Sequence, residues 1–327
     1  MLPCRSRSRC ASRATAGERL TAFAKGISLN SNPITRALVL AGAGAAGNAW
    51  QIGLIAGLAE AGVDLTEAEL IVGTSAGSTV AAQITGSKRP AELYAAILAE
   101  PPRSAGAVLP TDRGRGHLSG PSYMAWSDEI IETSADAADM RRRFGAAALA
   151  ADTGQGSSRW RDMVASRLPG RDWPQRCILI TAVDASTGEP VVFDRDSGVD
   201  LVDAVAASTS NGFGGAYAIG ARRYLNGGYR RSSNADLAAG CGRIVILEPF
   251  SGASRQPHEW GMDLGTQVAE LRASGSRVET VFPSAAAGDV FNANALDPAT
   301  RTPAARGGYE QGLELAGDLS SFWLSSS

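Results

Sequence analysis

The sequence contains little histidine, few cysteines and no long apolar run. His117 and His258 are the only histidines in 327 residues, so a mechanism with a histidine base has two candidates. The four cysteines show no C-x-x-C spacing, which gives no indication of a structural metal site. No stretch approaches the roughly 18 uninterrupted apolar residues that a membrane-spanning helix needs. We therefore expect any contact with lipid to occur at the surface of a bilayer or micelle.

Charge is nearly balanced as well. The formal net charge is -2, with 20% charged and 44% hydrophobic residues. This is the composition of an ordinary soluble globular protein, and it argues against a protein that binds nucleic acid through its charge. Cys177 and Cys241 directly precede apolar strand-like runs, so we predict buried, reduced thiols. The absence of an apolar signal segment in the first 35 residues further favours a cytoplasmic location.

The chain divides into two regions by composition. Residues 1–34 place arginines among Ser, Ala and Thr, and we interpret them as a disordered basic tail. Residues 35–327 contain no Pro/Ser-rich linker or repeat and predict one domain. In this domain six strand-like runs alternate with helical stretches, and they lie at 37–41, 70–72, 177–183, 191–193, 243–248 and 277–282. The alternation predicts an α/β fold, with a largely parallel central sheet covered by helices on both faces.

The segment at 101–168 departs from this alternation. Residues 101–120 are rich in Pro, Gly and Arg, whereas 122–168 are typical of short helices with apolar positions such as Tyr123 and Trp126. Such side chains usually belong to a core. A second interpretation is a lid or wall of a binding site, because an apolar ligand needs an apolar channel.

A glycine-rich motif, Gly-Ala-Gly-Ala-Ala-Gly, occupies 42–47, between the first strand-like run and a helix that we predict to begin near Asn48. Such a turn presents backbone N–H groups and the positive end of the helix dipole to an anion. The same pattern occurs in dinucleotide-binding loops, which require an acidic residue at the end of the second strand. That strand instead runs into Gly73, which disfavours the dinucleotide interpretation. A purely structural turn remains the simplest interpretation of the motif alone.

A second motif, Gly-Thr-Ser-Ala-Gly, occupies 73–77, directly after the strand-like run 70–72 and before a helix-permissive stretch. A strand, a tight turn and a helix form a nucleophile elbow, in which flanking glycines expose the serine hydroxyl. We therefore predict Ser75 as a nucleophile, and a serine needs a neighbouring base. In an α/β-hydrolase that base is a late histidine, for which His258 is the formal candidate. Here, however, the elbow follows only the second strand, and His258 also fits the start of a helix.

Three motifs in order resemble the patatin-like phospholipase family. They are the loop at 42–47, the elbow at 73–77, and Leu-Asn-Gly-Gly at 225–228 followed by Asn-Ala-Asp-Leu at 234–237. The likeness extends from about residue 35 to residue 312. The resemblance implies a three-layer α/β/α sandwich that hydrolyses carboxylic esters of lipids through an acyl-enzyme on Ser75, as a phospholipase A or esterase does. It also implies that no metal or organic cofactor is needed, and that the partner is a lipid or ester, met at a membrane or micelle surface.

The resemblance assigns roles to individual residues. Ser75 would attack the ester carbonyl, and Asn226 occupies the position of the family's aspartate base. The backbone groups expected to hold the oxyanion belong to Gly42, Ala43, Gly44, Ala45 and Ala76. The motif glycines are Gly47, Gly73, Gly77, Gly227 and Gly228. Many family members carry glycine at position 43 and a basic residue at position 46, where this chain has alanines.

Asn226 is the larger departure from the family pattern. A carboxamide offers an acceptor and an NH₂ donor but has no useful basicity, so it can orient Ser75 without deprotonating it. Loss of a general base typically costs about 10²–10⁴ in rate. Four interpretations are open: a natural pseudoenzyme that binds acyl lipids, an inactivating substitution, another carboxylate as base, or deamidation of Asn226 before Gly227 to aspartate. The available carboxylates are Asp184, Asp194, Asp203 and Asp236, the last of which also fits a helix cap.

The stretch at 207–215 is rich in glycine and lacks the prolines that relatives carry there. A glycine-rich loop has more conformational freedom than one that contains proline. The resemblance places this loop beside the active site, so we expect it to change or loosen the acyl pocket.

Overall fold

The structure is a computed structural model that describes residues 36–101, 120–154 and 156–324. The described residues belong to one compact unit. The tail predicted at 1–34 and nearly all of the Pro/Gly/Arg-rich segment predicted at 101–120, with His117, lie outside the described residues.

Eight strands form one sheet in the order β5-β6-β3-β2-β1-β7-β8, with β4 also paired to β3. Their bounds are β1 Arg36–Leu40, β2 Leu70–Gly73, β3 Cys177–Asp184, β4 Pro190–Phe193, β5 Tyr217–Ile219, β6 Arg222–Asn226, β7 Arg243–Leu247 and β8 Arg277–Val281. The β3-β2-β1-β7-β8 neighbours pair in parallel, and β4, β5 and β6 pair antiparallel. The six predicted strands are confirmed to within one residue at each end, whereas β5 and β6 were not predicted.

The central strands are buried on both faces, which explains why they read as continuous apolar runs. In β1, Leu38 and Leu40 pack into one core, and Ala37 and Val39 pack into another on the opposite face. The first core includes Trp50, whose indole N–H donates to Gln311 Oε1 at 3.0 Å. Helices therefore cover both faces of the sheet, as the alternating pattern predicts.

Nine helices surround the sheet within the described ranges. Their bounds are α1 Gly44–Glu60, α2 Ala76–Ile84, α3 Pro90–Leu98, α4 Gly120–Glu132, α5 Ala137–Ala151, α6 Gly156–Ala165, α7 Leu201–Thr209, α8 Leu264–Ala273 and α9 Arg301–Trp323. The short helices predicted in 122–168 are confirmed as α4, α5 and α6. None of the helices in the described ranges is both long and apolar enough to cross a membrane.

Two details correct the expectations from sequence. Helix α1 begins at Gly44, a full turn before Asn48, because the glycine-rich turn itself forms the first helical turn. Cys241 is buried and free, as predicted, but Cys177 is exposed. Cys177 is the first residue of β3, and the two residues before it, Gln175 and Arg176, are also exposed, whereas Ile178 after it is buried.

Candidate active site

Ser75 lies in a strained turn between β2 and α2. Its φ of 52° and ψ of -121° fall outside the regions that L-residues ordinarily adopt, and such a conformation costs about 1–3 kcal/mol. Gly77 permits the turn, since a Cβ there would collide with the backbone carbonyl oxygen of Leu40. The strand, tight turn and helix predicted around Ser75 are therefore present.

The loop at 42–47 lies against the Ser75 side chain. A Cβ added to Gly42 would stand 2.9 Å from Ser75 Cβ and 3.5 Å from Ser75 Oγ. Ala43, just before α1, has an extended φ of -178°, so alanine is tolerated where relatives carry glycine. The first N–H groups of a helix have no intrahelical acceptor, so the beginning of α1 supplies backbone donors close to Ser75.

Asn226, the last residue of β6, contacts the Ser75 side chain directly. Its Nδ2 donates to Ser75 Oγ at 2.9 Å, and its Oδ1 accepts the Gly228 N–H at 2.8 Å. Both Ser75 and Asn226 are half-buried. Gly227 packs so closely on Thr181 that a Cβ at position 227 would collide with it. The structure thus brings together the three motifs that lie far apart in the sequence.

The Asn226 amide can take only one orientation here. Rotating it by half a turn would point its NH₂ group at the Gly228 N–H, which is also a donor. The NH₂ group therefore faces Ser75, and the serine oxygen accepts the hydrogen bond. An aspartate would reverse this polarity, because a carboxylate accepts both from the serine hydroxyl and from Gly228.

A buried asparagine that sequence reasoning missed holds these segments together. Asn234 is fully buried with a φ of 58°, and its Nδ2 donates to Thr74 Oγ1 at 2.9 Å and to Gly227 O at 3.0 Å. It also contacts Thr181 Oγ1 at 3.2 Å. The only signal in the sequence was the family-like Asn-Ala-Asp-Leu at 234–237. That stretch suggested Asp236 as a helix cap, whereas Asn234 is the residue that precedes the short 3-10 helix Ala235–Ala238.

The four aspartates weighed as substitute bases have partners other than Ser75. Asp184 and Asp194 accept backbone N–H groups two residues further on, at 2.9 and 3.0 Å. Asp203 accepts from Arg161 at 2.8 Å and from Tyr217, while Asp236 pairs with Arg230 at 2.6 Å. In the part of the chain that the structure describes, none of them hydrogen-bonds to Ser75.

Among the described residues, His258 makes no hydrogen bond to Ser75 Oγ either. Its side chain is 82% exposed, and its Nδ1 lies 2.9 Å from the carboxylate of Asp263. It begins the 3-10 helix His258–Trp260, and Asp263 caps α8 by accepting the Thr266 N–H. The placement agrees with the helix-start interpretation and leaves the serine-histidine arrangement of an α/β-hydrolase unformed.

Sequence reasoning also missed Glu248, which directly follows β7. Glu248 is 4% exposed, and its Oε2 has no hydrogen-bond partner among the described residues. Burial raises the pKa of this carboxyl to about 7. The adjacent Leu247 accepts the Ala41 N–H at 3.1 Å, so Glu248 lies at the same edge of the sheet as the loop at 42–47.

Helix α4 lies against the loop that follows Asn226. Tyr123 of α4 has its hydroxyl 2.9 Å from that of Tyr229, which donates to Asn211 O at 2.6 Å. Trp126 packs edge-on against Phe213 at 5.4 Å between ring centroids. The aromatic face of α4 thus contacts the glycine-rich stretch at 207–215. A role for α4 as lid or substrate wall stays a prediction.

The sequence was also compared with protein families. A family model described as patatin-like phospholipase matches residues 38–239. The chain belongs to the patatin-like phospholipase family. The matched range contains the 42–47 loop, the Ser75 elbow and Asn226. Family membership implies a lipid acyl hydrolase that acts on lipid substrates.

The chain was also compared with solved structures, and two that are similar to it have low sequence identity. VipD from Legionella pneumophila is 13% identical with a TM-score of 0.43, and the match covers 88% of this chain and 68% of VipD. The type III effector ExoU is 19% identical with a TM-score of 0.33, and the match covers 86% of this chain and 54% of ExoU. This patatin-like chain therefore spans about half the length of ExoU. A search of curated proteins found no match.

Proposed function

We propose that this chain is a serine lipid acyl hydrolase of the phospholipase A or esterase type, with Ser75 as its nucleophile. The observation that carries the proposal is the strained Ser75, whose Oγ lies 2.9 Å from Asn226 Nδ2. Its Cβ also lies beside Gly42 at the start of the glycine-rich loop. Strain of this kind concentrates at functional sites, where the rest of the fold stabilises it.

In the proposed reaction, Ser75 Oγ attacks the ester carbonyl carbon and its proton leaves to solvent. The carbonyl oxygen becomes an oxyanion, which accepts hydrogen bonds from the backbone of Gly42, Ala43, Gly44, Ala45 and Ala76. Preorganised donors of this kind are each worth about 10²–10³ in rate. The C–O bond to the alcohol then breaks, the alcohol takes up a proton, and water hydrolyses the acyl-enzyme.

Position 226 limits the rate of this reaction. The Asn226 amide directs a donor at Ser75 Oγ and cannot take the serine proton. An aspartate at the same position would accept that proton while keeping the hydrogen bond from Gly228. We therefore expect the natural chain to hydrolyse esters slowly, and Asn226→Asp to be faster by about 10²–10⁴.

The test compares four full-length proteins on p-nitrophenyl esters: the natural chain, Asn226→Asp, Ser75→Ala, and the double variant. We expect Asn226→Asp to be the fastest and both Ser75→Ala forms to be inactive. Peptide mass spectrometry on each sample identifies residue 226, which separates the amide's own activity from that of a deamidated fraction. Equal rates for the natural chain and Asn226→Asp would exclude position 226 from the mechanism. Activity that survives Ser75→Ala would exclude Ser75.

A second candidate is a patatin-like protein that binds acyl lipids without turning them over. The fixed orientation of the Asn226 amide favours it, because that orientation leaves Ser75 without a base. We expect contact with a membrane or micelle surface whether the protein hydrolyses acyl lipids or only binds them. Leu296, which is 39% exposed and packs on Gly44 of the loop, is a suitable residue for such contact.

A further inference from the structure

The donors and acceptors around Ser75 differ from those of a site built on aspartate. We propose that the Ser75–Asn226 site binds the carboxylate group of a free fatty acid and prefers it to neutral lipids of the same chain length. The inference rests on the proposed function for the position of the site and for the lipid nature of its ligand. It concerns the headgroup that the site selects.

The side chains at the site present hydrogens to a ligand. Asn226 Nδ2 carries two hydrogens, and within the described chain its acceptor is Ser75 Oγ, so the second hydrogen remains for a ligand. Because Ser75 Oγ accepts this bond, its own hydroxyl hydrogen is also available to a ligand. The Asn226 oxygen already accepts the Gly228 N–H at 2.8 Å, which uses one of its two lone pairs.

The backbone adds a donor of the same kind. At the start of α2, the N–H groups of Gly77 and Ser78 donate to Thr74 O and Ser75 O at 2.8 and 2.9 Å. Ala76, the first residue of α2, comes before both of them, so its N–H has no acceptor inside the helix. A carboxylate is an acceptor with two oxygens and a full negative charge, which suits these three donors.

The same geometry disfavours the alternatives. An aspartate at position 226 would place a second carboxylate within hydrogen-bond distance of the ligand's headgroup, and two such groups repel each other. Asparagine removes the charge and supplies a donor in its place. An alcohol offers one uncharged oxygen to these donors, and a quaternary ammonium offers no acceptor, so both form weaker hydrogen bonds here than a carboxylate does. Position 226 therefore exchanges one activity for the other: aspartate favours hydrolysis, and asparagine favours retention of the fatty acid.

The experiment measures binding of three probes with the same ten-carbon chain at neutral pH. Decanoate and decyltrimethylammonium are used below their micelle concentrations, and 1-decanol is used below its solubility limit. The proteins are the full natural chain, Asn226→Asp and Gln175→Glu. Gln175→Glu is a matched control that adds the same charge near the beginning of β3, away from Ser75, where Arg195 lies 3.2 Å from its side chain. Thermal melting of each protein verifies that it is folded.

We expect the natural chain and Gln175→Glu to bind decanoate at least about ten-fold more tightly than either other probe, the effect of one charge-assisted hydrogen bond. Asn226→Asp should lose that preference while it keeps its affinity for decanol. Equal binding of decanoate and decanol by the natural chain would overturn the inference, as would unchanged decanoate binding in Asn226→Asp. Decanoate selectivity without hydrolysis in any variant would reject only the hydrolase proposal. Hydrolysis by Ser75 without decanoate selectivity would reject only this inference.

Discussion

Asn234 Nδ2 donates to Thr74 Oγ1 at 2.9 Å, which joins the segment after Asn226 to the residue immediately before Ser75. The same amide reaches Gly227 O at 3.0 Å, so one buried side chain contacts both motifs of the candidate site. The distance between Ser75 and Asn226 therefore depends on a residue that contacts neither side chain directly.

Replacement of Asn234 tests this relationship. Asn234→Ala removes the buried hydrogen bonds, at about 1–3 kcal/mol, and puts a Cβ-bearing residue without a local hydrogen bond at a φ of 58°. Asn234→Gly loses the same hydrogen bonds but adopts that backbone conformation readily. We expect the alanine variant to be about 1 kcal/mol less stable than the glycine variant in urea unfolding. In an Asn226→Asp background, Ser75 of both variants should react more slowly with a fluorophosphonate than Ser75 of the protein that keeps Asn234. Unchanged labelling in both would mean that Asn234 has no positioning role.

The hydrogen-bonded tyrosines beside the site, Tyr123 and Tyr229, should contribute unequally to stability. Tyr229 must donate to the Asn211 carbonyl, so Tyr123 is the donor in the bond between the two hydroxyls. Tyr229→Phe leaves both the Asn211 carbonyl oxygen and the Tyr123 hydroxyl without this partner. Tyr123→Phe removes only the hydrogen bond that the Tyr229 hydroxyl accepts, and Tyr229 still donates to Asn211 O. We expect Tyr229→Phe to lower the free energy of unfolding by about 2 kcal/mol and Tyr123→Phe to lower it by about 1 kcal/mol. The reverse order in chemical denaturation would contradict this hydrogen-bond direction.

Gly42 is predicted to be intolerant of even one methyl group. Gly42→Ala would place Cβ 2.9 Å from Ser75 Cβ and displace the serine. In the Asn226→Asp background, we expect fluorophosphonate labelling of Ser75 to fall by about ten-fold or more, since small misplacements of reacting groups are costly. Gly317→Ala in α9 is the matched control, because a Cβ there meets no atom within 4 Å. That variant should label normally and gain about 1 kcal/mol of stability. Equal labelling of the two variants would contradict the placement of the loop.

Glu248 predicts a dependence of stability on pH. Burial raises the pKa of its carboxyl from 4.5 to about 7, so the folded protein keeps a proton that the unfolded chain releases across this window. As pH rises from 4.5 to 7, this residue should lower the free energy of unfolding by about 3 kcal/mol, and its effect should level off above pH 7. Glu248→Gln retains an acceptor for the Phe250 N–H and should remove that fall. Parallel pH profiles of the two proteins in urea unfolding would contradict the assignment.

Much of the parallel sheet could be predicted from sequence, because strands that are buried on both faces are uninterrupted apolar runs. The elbow at Ser75 was predictable for the same reason, since a strand leads directly into a glycine-flanked serine. Strands β5 and β6 were missed because Arg222 and Arg223 make β6 half polar, and β5 has only three residues. Asn226 was recognised only through the family resemblance, because its contact with Ser75 spans 151 positions.

Other parts of the site depend on tertiary contacts that leave no local pattern. Asn234 looks like an ordinary turn residue, and its role becomes evident only when Thr74 and Gly227 are seen beside it. Glu248 directly follows a strand, as many polar residues do, so its burial could not be foreseen. The start of α1 was placed a turn too late because glycines usually indicate a loop, whereas here α1 begins at Gly44, whose φ of 55° a glycine adopts without strain.

The hydrogen bond from Gly228 N–H to the side-chain oxygen at position 226 has an evolutionary consequence. The Gly228 N–H can donate to an amide oxygen or to a carboxylate oxygen, so the surrounding fold accommodates either asparagine or aspartate at position 226. Codons for asparagine and aspartate differ by a single nucleotide. A lineage can thus lose or regain the proposed base at this position in one mutational step while the protein's architecture remains the same.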